Sequence, residues 1–547
     1  MQHILHCVLQ TTSARLPGRN LEDIDMPIVR LSFPAVLLAA AAVLAGLGGG
    51  RPAAAAPITA FTAGDLVIST VSCSVSSAAC SSTSGGLDTA APIVLNEFSL
   101  SSGGTSATPV GTLALPQTGS GANSAISGEY GSASEGILQQ SVNGKYLTIM
   151  GYGVNANNFN TGSTYGTNAL GQTVSIPTGS LTVVPRVVAL IGNNTSVDTS
   201  TALTGVFNTN NPRSAATVNG SSFYVSGQGV TGDGTGGVFY ALDGATTATP
   251  INGNTTIPSG SPNGTANPLL ATETRAVEIV NNGSGNTLYV SRDFAAKGSP
   301  NDATDIRSFT NASGGLPTSA SGLVADRVIA DVNSTGGNTG SIDVTNATDN
   351  IVNHSRNGQA PGHTGNTFVY LSPEQYFFPN ASTLYVADSG SPKNGSATAA
   401  GLGDGGLQKW VNSMPDGSGT WTEVYDMFNG LSLTGQANAD SATPQAPGIT
   451  GLFGLTGDVV GSDVELFATT YGLNELSQSY LYEITDLLSN TNYVTGQAEM
   501  FNLLYTAPAD TVIRGVAFAP VPEPGSLTIL AAALAGLGLL RRRSARS

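Results

Sequence analysis

Between residues 57 and 520 the chain alternates β-branched or aromatic residues with polar ones in short runs, and the runs come in pairs separated by Asn-Gly, Gly-Ser or similar turns. Five stretches carry the pattern: "EGILQQSVNGKYLTIMGYG", "RSAATVNGSSFYVSGQG", "RAVEIVNNGSGNTLYVSRD", "TFVYLSPEQYFFPNASTLYVADSG" and "ITGLFGLTGDVVGSDVELFATTYG". A period of two marks strands, and a tight Gly or Asn turn between two of them marks a hairpin. A third strand follows each pair, in "PRVVALIG", "GGVFYALDG", "DIRSFTN", "GLQKWVN" and "SYLYEITD". One hairpin cannot bury both of its faces, so sheets recurring every ~60 to 90 residues predict an all-β body of the β-propeller type. A β-sandwich array and a β-helix are the competing architectures, and a β-helix demands a much shorter and steadier period.

The ends of this body complement each other. "TVIRGVAFAP" near the C-terminus reads as a first-type strand with no following partner, whereas "GDLVISTVS", "PIVLNEFSL" and "VGTLALP" near the N-terminus lack a preceding one. Joined in one sheet they remove the exposed edges that threaten an open β array. The resulting count is six blades, with seven as the alternative. The stretch 311–366 shows the weakest strand pattern and is expected to be a long insertion between blades.

Composition narrows the function. Only 10% of the 547 residues are charged, Gly numbers 69 and the net charge is −16, which favours strands and turns over charged helices. Lys and Arg number 20 against 36 Asp and Glu, too few for the basic surface that neutralises phosphates, so nucleic acid is excluded as a partner.

Near the N-terminus, Arg30 precedes an apolar run from about Leu31 to Leu47 and a string of alanines, the layout of a secretory signal over 26–56. Residues 1–25 fit no part of such a signal, so Met26 is expected to be the translation start and 1–25 a misassigned one. Small residues near the cut and proline's unsuitability just after it favour processing by signal peptidase near Ala55. Cys73 and Cys80 then form a close pair in an exported chain, where an oxidising compartment favours a small disulfide staple; a metal or redox pair is the alternative.

The chain closes with "VPEPGSLTILAAALAGLGLLRRRSARS", residues 521–547. As a helix, Leu527 to Leu540 spans about 21 Å, short of the ~30 Å hydrocarbon core of a bilayer. Arg541, Arg542, Arg543 and Arg546 behind it mark a cytoplasmic boundary, which leaves the body on the far side of the membrane. This segment resembles the PEP-CTERM sorting signal. The resemblance implies that Pro522, Glu523 and Pro524 form the recognition tripeptide, that a transmembrane helix anchors the chain briefly in the inner membrane of a Gram-negative cell, and that an exosortase cuts near the tripeptide. The body as a whole is similar to exported bacterial propeller-like proteins of unassigned function, a resemblance that brings no catalytic residues.

Candidate chemistry is sparse. His354 and His363 stand in the 311–366 stretch, where solvated loop residues are the simpler reading and a metal pair with Asp331, Asp343 or Asp349 the alternative. "DVNSTGG" at Asp331 has the opening of a calcium loop without its closing ligands, so no cofactor is assigned and calcium remains the alternative. No G-x-S-x-G, P-loop or H-E-x-x-H motif occurs. One constellation stands out: Glu135, Arg213, Arg275 and Arg514 fall at equivalent starts of four first-type strands, in "SEGIL", "PRSAA", "TRAVE" and "IRGVA". In a channel these residues offer a bidentate site for an anionic ligand such as a uronic-acid unit; braces between neighbouring blades are the competing reading. The sequence therefore points to a non-enzymatic surface or exopolysaccharide-matrix protein that binds glycan or protein. A propeller hydrolase or lactonase-like enzyme with a channel metal is the rival.

Overall fold

The computed structural model describes residues 56–522, apart from 73–88, 133, 163, 166–168, 231–232, 253–273, 282, 284, 293–304, 331–371, 391–404, 434–448 and 473–477. Cys73 and Cys80, Asp331, His354 and His363, and the tail from Glu523 onward lie outside the described residues. Among the described residues no helix is long and apolar enough to cross a membrane.

The body is all-β, and its strands form antiparallel ladders. The first contains β1 (Leu66–Ser72), β2 (Ala90–Leu100) and β3 (Ala107–Ala114). A short β4 (Ser127–Glu129) leads to the second: β5 (Gln139–Gln140), β6 (Tyr146–Tyr152), β7 (Arg186–Gly192) and β8 (Val197–Leu203). The third holds β9 (Pro212–Ala216), β10 (Ser222–Gly227), β11 (Gly237–Leu242) and β12 (Thr249–Asn252), and the fourth β13 (Thr274–Asn281), β14 (Asn286–Arg292), β15 (Asp305–Asn311) and β16 (Leu323–Ala330). The fifth comprises β17 (Pro373–Asn380), β18 (Thr383–Asp388), β19 (Gly406–Asn412) and β20 (Trp421–Met427). In the sixth, β21 (Ile449–Val460), β22 (Asp463–Gly472), β23 (Tyr480–Leu487) and β24 (Asn502–Thr506) pair in order. The last strand, β25 (Thr511–Phe518), returns to the first ladder and pairs with β1 from Leu66↔Phe518 to Ser72↔Thr511. Through β2 and β4 the first two ladders merge into one nine-stranded sheet, beside four sheets of four strands.

Tight turns set the hairpins. Gly144 and Gly220, each following an Asn, adopt φ of +71° and +88°, the left-handed region that side chains avoid and that closes a two-stranded connection. The second to sixth ladders each carry a fourth strand beyond the three that alternation alone reveals. In the stretch 311–366, read from sequence as an insertion, Leu323–Ala330 is such a strand and pairs with β15 over Asp305↔Ala330 to Asn311↔Leu323. Its apolar and charged residues alternate too weakly to announce an outer strand, because only one neighbour pairs with it.

Every gap between successive ladders is filled by an apolar cluster. Val67, Ile93, Leu147 and Val187 join the first ladder to the second, and Met150, Val188, Phe223 and Phe239 the second to the third. Tyr224, Val238, Val277 and Phe309 fill the next gap, and Ile306, Tyr376, Leu384 and Trp410 the one after. Tyr385, Leu407, Leu466 and Ile484 join the fifth ladder to the sixth. The ring closes through Phe467, Leu481, Leu66, Phe98 and Val516. Sequence neighbours such as Phe223 and Tyr224 serve opposite gaps, since successive side chains in a strand point to opposite faces. Sheets covered on both faces and arranged in a closed cycle make the body propeller-like.

Hydroxyl groups on the second strands add a polar stitch to these gaps. Ser69 Oγ donates to the Gly136 carbonyl at 2.8 Å, Thr148 Oγ1 to Ala215 at 2.5 Å, Ser226 Oγ to Arg275 at 2.5 Å, Ser291 Oγ to Glu374 at 2.6 Å and Thr469 Oγ1 to Arg514 at 2.5 Å. Each bond reaches the innermost segment of the following ladder. At the remaining gap Thr450 Oγ1 donates to the Ser389 carbonyl at 2.8 Å.

Candidate functional site

The innermost strands all begin at one end of the ladders, and that end gathers the buried charges. Arg213 opens β9, Arg275 opens β13 and Arg514 lies in β25; their exposures are 2%, 0% and 4%. Each guanidinium group is directed into protein. Arg213 Nη1 donates to the Thr274 carbonyl at 3.1 Å, and its Nη2 to Gln228 Oε1 at 2.9 Å. Arg275 pairs with Glu374 at 3.4 Å, both side chains fully buried. Arg514 Nη2 donates to the carbonyls of Glu129 and Tyr130 at 3.3 and 3.0 Å. Apart from the bond to Gln228, which lies in the third ladder with Arg213, these contacts run from one ladder to the next. Glu374 escaped the sequence reading, although "SPEQYFF" puts it at the same second position of β17 that Arg213 and Arg275 occupy in β9 and β13.

Glu135 precedes β5 and is buried beside Arg514. Its Oε1 accepts from the Glu129 amide at 2.7 Å. Burial pushes its pKa up to about 8, repulsion from Glu129 adds to the shift, and Arg514 pulls against it. Glu129 in turn accepts from the Gly171 amide at 3.1 Å. Arg186, which the sequence reading also passed over, completes the cluster: it stacks 4.8 Å from the Tyr152 ring and donates to the carbonyls of Thr173, Val184, Phe207 and Asn210. Burial lowers its pKa to about 10, still far enough above neutrality to keep the charge. Beside Glu135 and Arg514 lies a cavity of about 10 Å³, lined also by Ser69, Thr70 and Met150. Such a space admits roughly one water molecule and no sugar.

Two further centres share the same character. In the fourth ladder Asp305 takes Arg292 Nε at 2.6 Å and Arg307 Nε at 2.9 Å, so one carboxylate serves two guanidinium groups. Between the fifth and sixth ladders, Lys409 Nζ meets Asp486 at 2.7 Å, Tyr425 Oη at 3.0 Å and the Asn490 carbonyl at 2.9 Å. Tyr385 and Tyr425 both donate to Asp486. Burial lowers the Lys409 pKa and Asp486 holds it up. Surrounded by acceptors, this amine is held as a charge and not presented as a nucleophile. No group of three or more His, Cys, Asp or Glu is placed to hold a metal ion among the described residues.

No protein-family model matches the chain, and no curated protein matches it. Solved structures give distant likenesses. One is an α-L-arabinanase of Penicillium chrysogenum complexed with arabinobiose, at 9% identity and a TM-score of 0.34, covering 80% of this chain and 97% of that one. Others are a β-fructofuranosidase of Bombyx mori, at 8% identity and 0.27 over 68% and 62%, and an oligogalacturonate lyase of Vibrio parahaemolyticus, at 7% and 0.26 over 74% and 95%. None of them assigns a family.

Proposed function

We propose that this chain is an exported, exosortase-processed protein of the cell surface or exopolysaccharide matrix, whose six-bladed propeller binds glycan or protein without chemistry of its own. The tail carries this reading: a Pro-Glu-Pro tripeptide at 522–524, an apolar run too short for a comfortable span, and an arginine cluster suit a removable anchor. The interior agrees with a structural role for the charges. Arg213, Arg275 and Arg514 spend donors on adjacent ladders, which favours recognition by the outer surface over a site at the axis. Six blades follow from treating each four-strand ladder as one blade and β4 as a bridge between the first two.

The test is processing in a Gram-negative host with and without its exosortase. Wild type should leave the inner membrane as a shortened chain and collect with the extracellular polysaccharide. A Pro522→Ala, Glu523→Ala, Pro524→Ala variant, or wild type in the exosortase deletion strain, should stay in the membrane at full length. Equal release of all three would overturn the assignment.

A further inference from the structure

The outermost strand of a sheet has backbone donors and acceptors with no neighbour on one side, and each ladder here ends on such a strand. Five of the six are guarded. Along β3 the chain 56–58 adds an extra pairing: the Thr112 amide donates to the Ala56 carbonyl at 2.9 Å, and the Ile58 amide to the Thr112 carbonyl at 3.0 Å. Two segments cover β8, where the Ser124 amide donates to the Thr199 carbonyl at 3.2 Å and the amides of Ala202 and Thr204 donate to the carbonyls of Ala245 and Thr246 at 3.1 and 2.9 Å. β12 is only four residues long and contains Pro250, and the sequence of β16 carries Asp326 and Arg327. Beside β20 packs the short helix Tyr493–Gln497, so close that a Cβ on Gly496 would lie 2.4 Å from the Tyr425 ring.

β24 differs from the other five. On one side it pairs with β23, from Tyr480↔Thr506 to Glu483↔Asn502. On its other side no described residue makes a backbone hydrogen bond to it, and its sequence "NLLYT" holds neither proline nor a charged side chain. Leu503 is 53% exposed, and Met500 just before the strand is 65% exposed. One face is nonetheless fixed, because Leu504 and Tyr505 pack against the apolar cluster between the sixth and first ladders, with the Tyr505 ring 4.9 Å from that of Phe98. The strand is therefore held extended with one edge open, already ordered for a further strand to pair with it.

Charge and composition select the occupant. The chain carries a net charge of −16, so two copies repel over most of their surfaces, yet from Met500 to Ala509 there is no Asp, Glu, Lys or Arg. This stretch is a place where two acidic bodies can meet without opposing like charges. The strand is also its own complement. Antiparallel pairing of two β24 strands about Leu504 sets Asn502 against Thr506 and Leu503 against Tyr505 of the other copy, each pair occurring twice, so that polar meets polar and an aliphatic side chain meets an aromatic one. We propose that β24 is a dimerisation edge, through which two copies of this chain join their sixth ladders into one continuous antiparallel sheet about a two-fold axis. The proposal goes beyond the reading of the tail and is independent of it, since β24 belongs to the body.

Sedimentation equilibrium of the full chain, in a non-ionic detergent whose density the solvent matches, measures the association. Wild type should pass from monomer to dimer as its concentration rises. Leu503→Lys puts a charge on the open edge, and Thr506→Lys does so at the other end of the strand. Both positions are exposed, so near-ultraviolet circular dichroism should show each variant folded. Each substitution strikes a two-fold interface twice and should weaken dimerisation by about tenfold or more. Leu242→Lys changes a side chain of similar exposure, 60%, at the end of β11 and should leave dimerisation as it was. A wild-type chain that stays monomeric at every concentration overturns the proposal and leaves the edge to an extended segment of another protein. Association that survives both β24 variants, whether through the tail or through another face, overturns it equally.

Discussion

Glu135 shows how far burial can carry a side chain from its usual chemistry. Its pKa of about 8 exceeds the ordinary 4.5, so the folded chain holds this proton more tightly than the unfolded chain does. The stability it contributes is complete below about 4.5 and is lost as the pH rises through about 8. Glu135→Gln keeps an acceptor for the Glu129 amide and removes the titration. Urea unfolding at several pH values should show a smaller decline for the variant, with a gain of a few kcal/mol near pH 8; an undiminished slope would contradict the assignment. At this scale the sequence was informative about position. The matching starts of "PRSAA" and "TRAVE" put Arg213 and Arg275 at one end of their strands, where the structure has them, whereas Arg514 of "IRGVA" stands in the middle of Thr511–Phe518. It was silent about direction: the partners Glu374, Thr274 and Tyr130 come from outside the arginine's own ladder, and nothing local encodes them.

Elements in this protein succeed by pairing two periodicities, one within the strand and one around the ring. The hydroxyl in "FYVS", "LYVS" and "LFAT" recurs at one register position and stitches each ladder to the next. Ser291→Ala leaves the buried Glu374 carbonyl without that donor and takes an acceptor from the Ala276 amide. The expected loss is about 1 to 3 kcal/mol in chemical denaturation, whereas the exposed Ser221→Ala should change little. In the fifth ladder the equivalent position is Ala387, in "LYVAD", and there the stitch is made by Thr450 from the other side. Gly515 shows the same crowding at the axis: a Cβ there would lie 2.1 Å from the Leu138 amide, so "RGVAF" needs its glycine for space and not for a turn. The repeat was visible in the sequence as a motif, but its partners were not. The outer strand Leu323–Ala330 was invisible because a half-paired strand needs no strict alternation.

The whole molecule depends on joining its ends. β25 covers the edge of β1 and supplies Ile513 and Val516 to the apolar cluster between the sixth and first ladders. A chain ending before Thr511 loses both, exposing β1 as an unpaired edge. Size-exclusion chromatography and urea unfolding of that truncation should show aggregation and loss of a cooperative transition; a monomer that unfolds cooperatively would refute the role given to closure. By itself the sequence determined most of the strands, their hairpin turns and the complementarity of the two chain ends, since period and turn chemistry are local properties. Only the tertiary structure decided which buried charges face each other, that the inner arginines are tied to adjacent ladders, and that Asn193 holds both Phe61 and Pro520, because those outcomes depend on contacts between residues far apart in the chain.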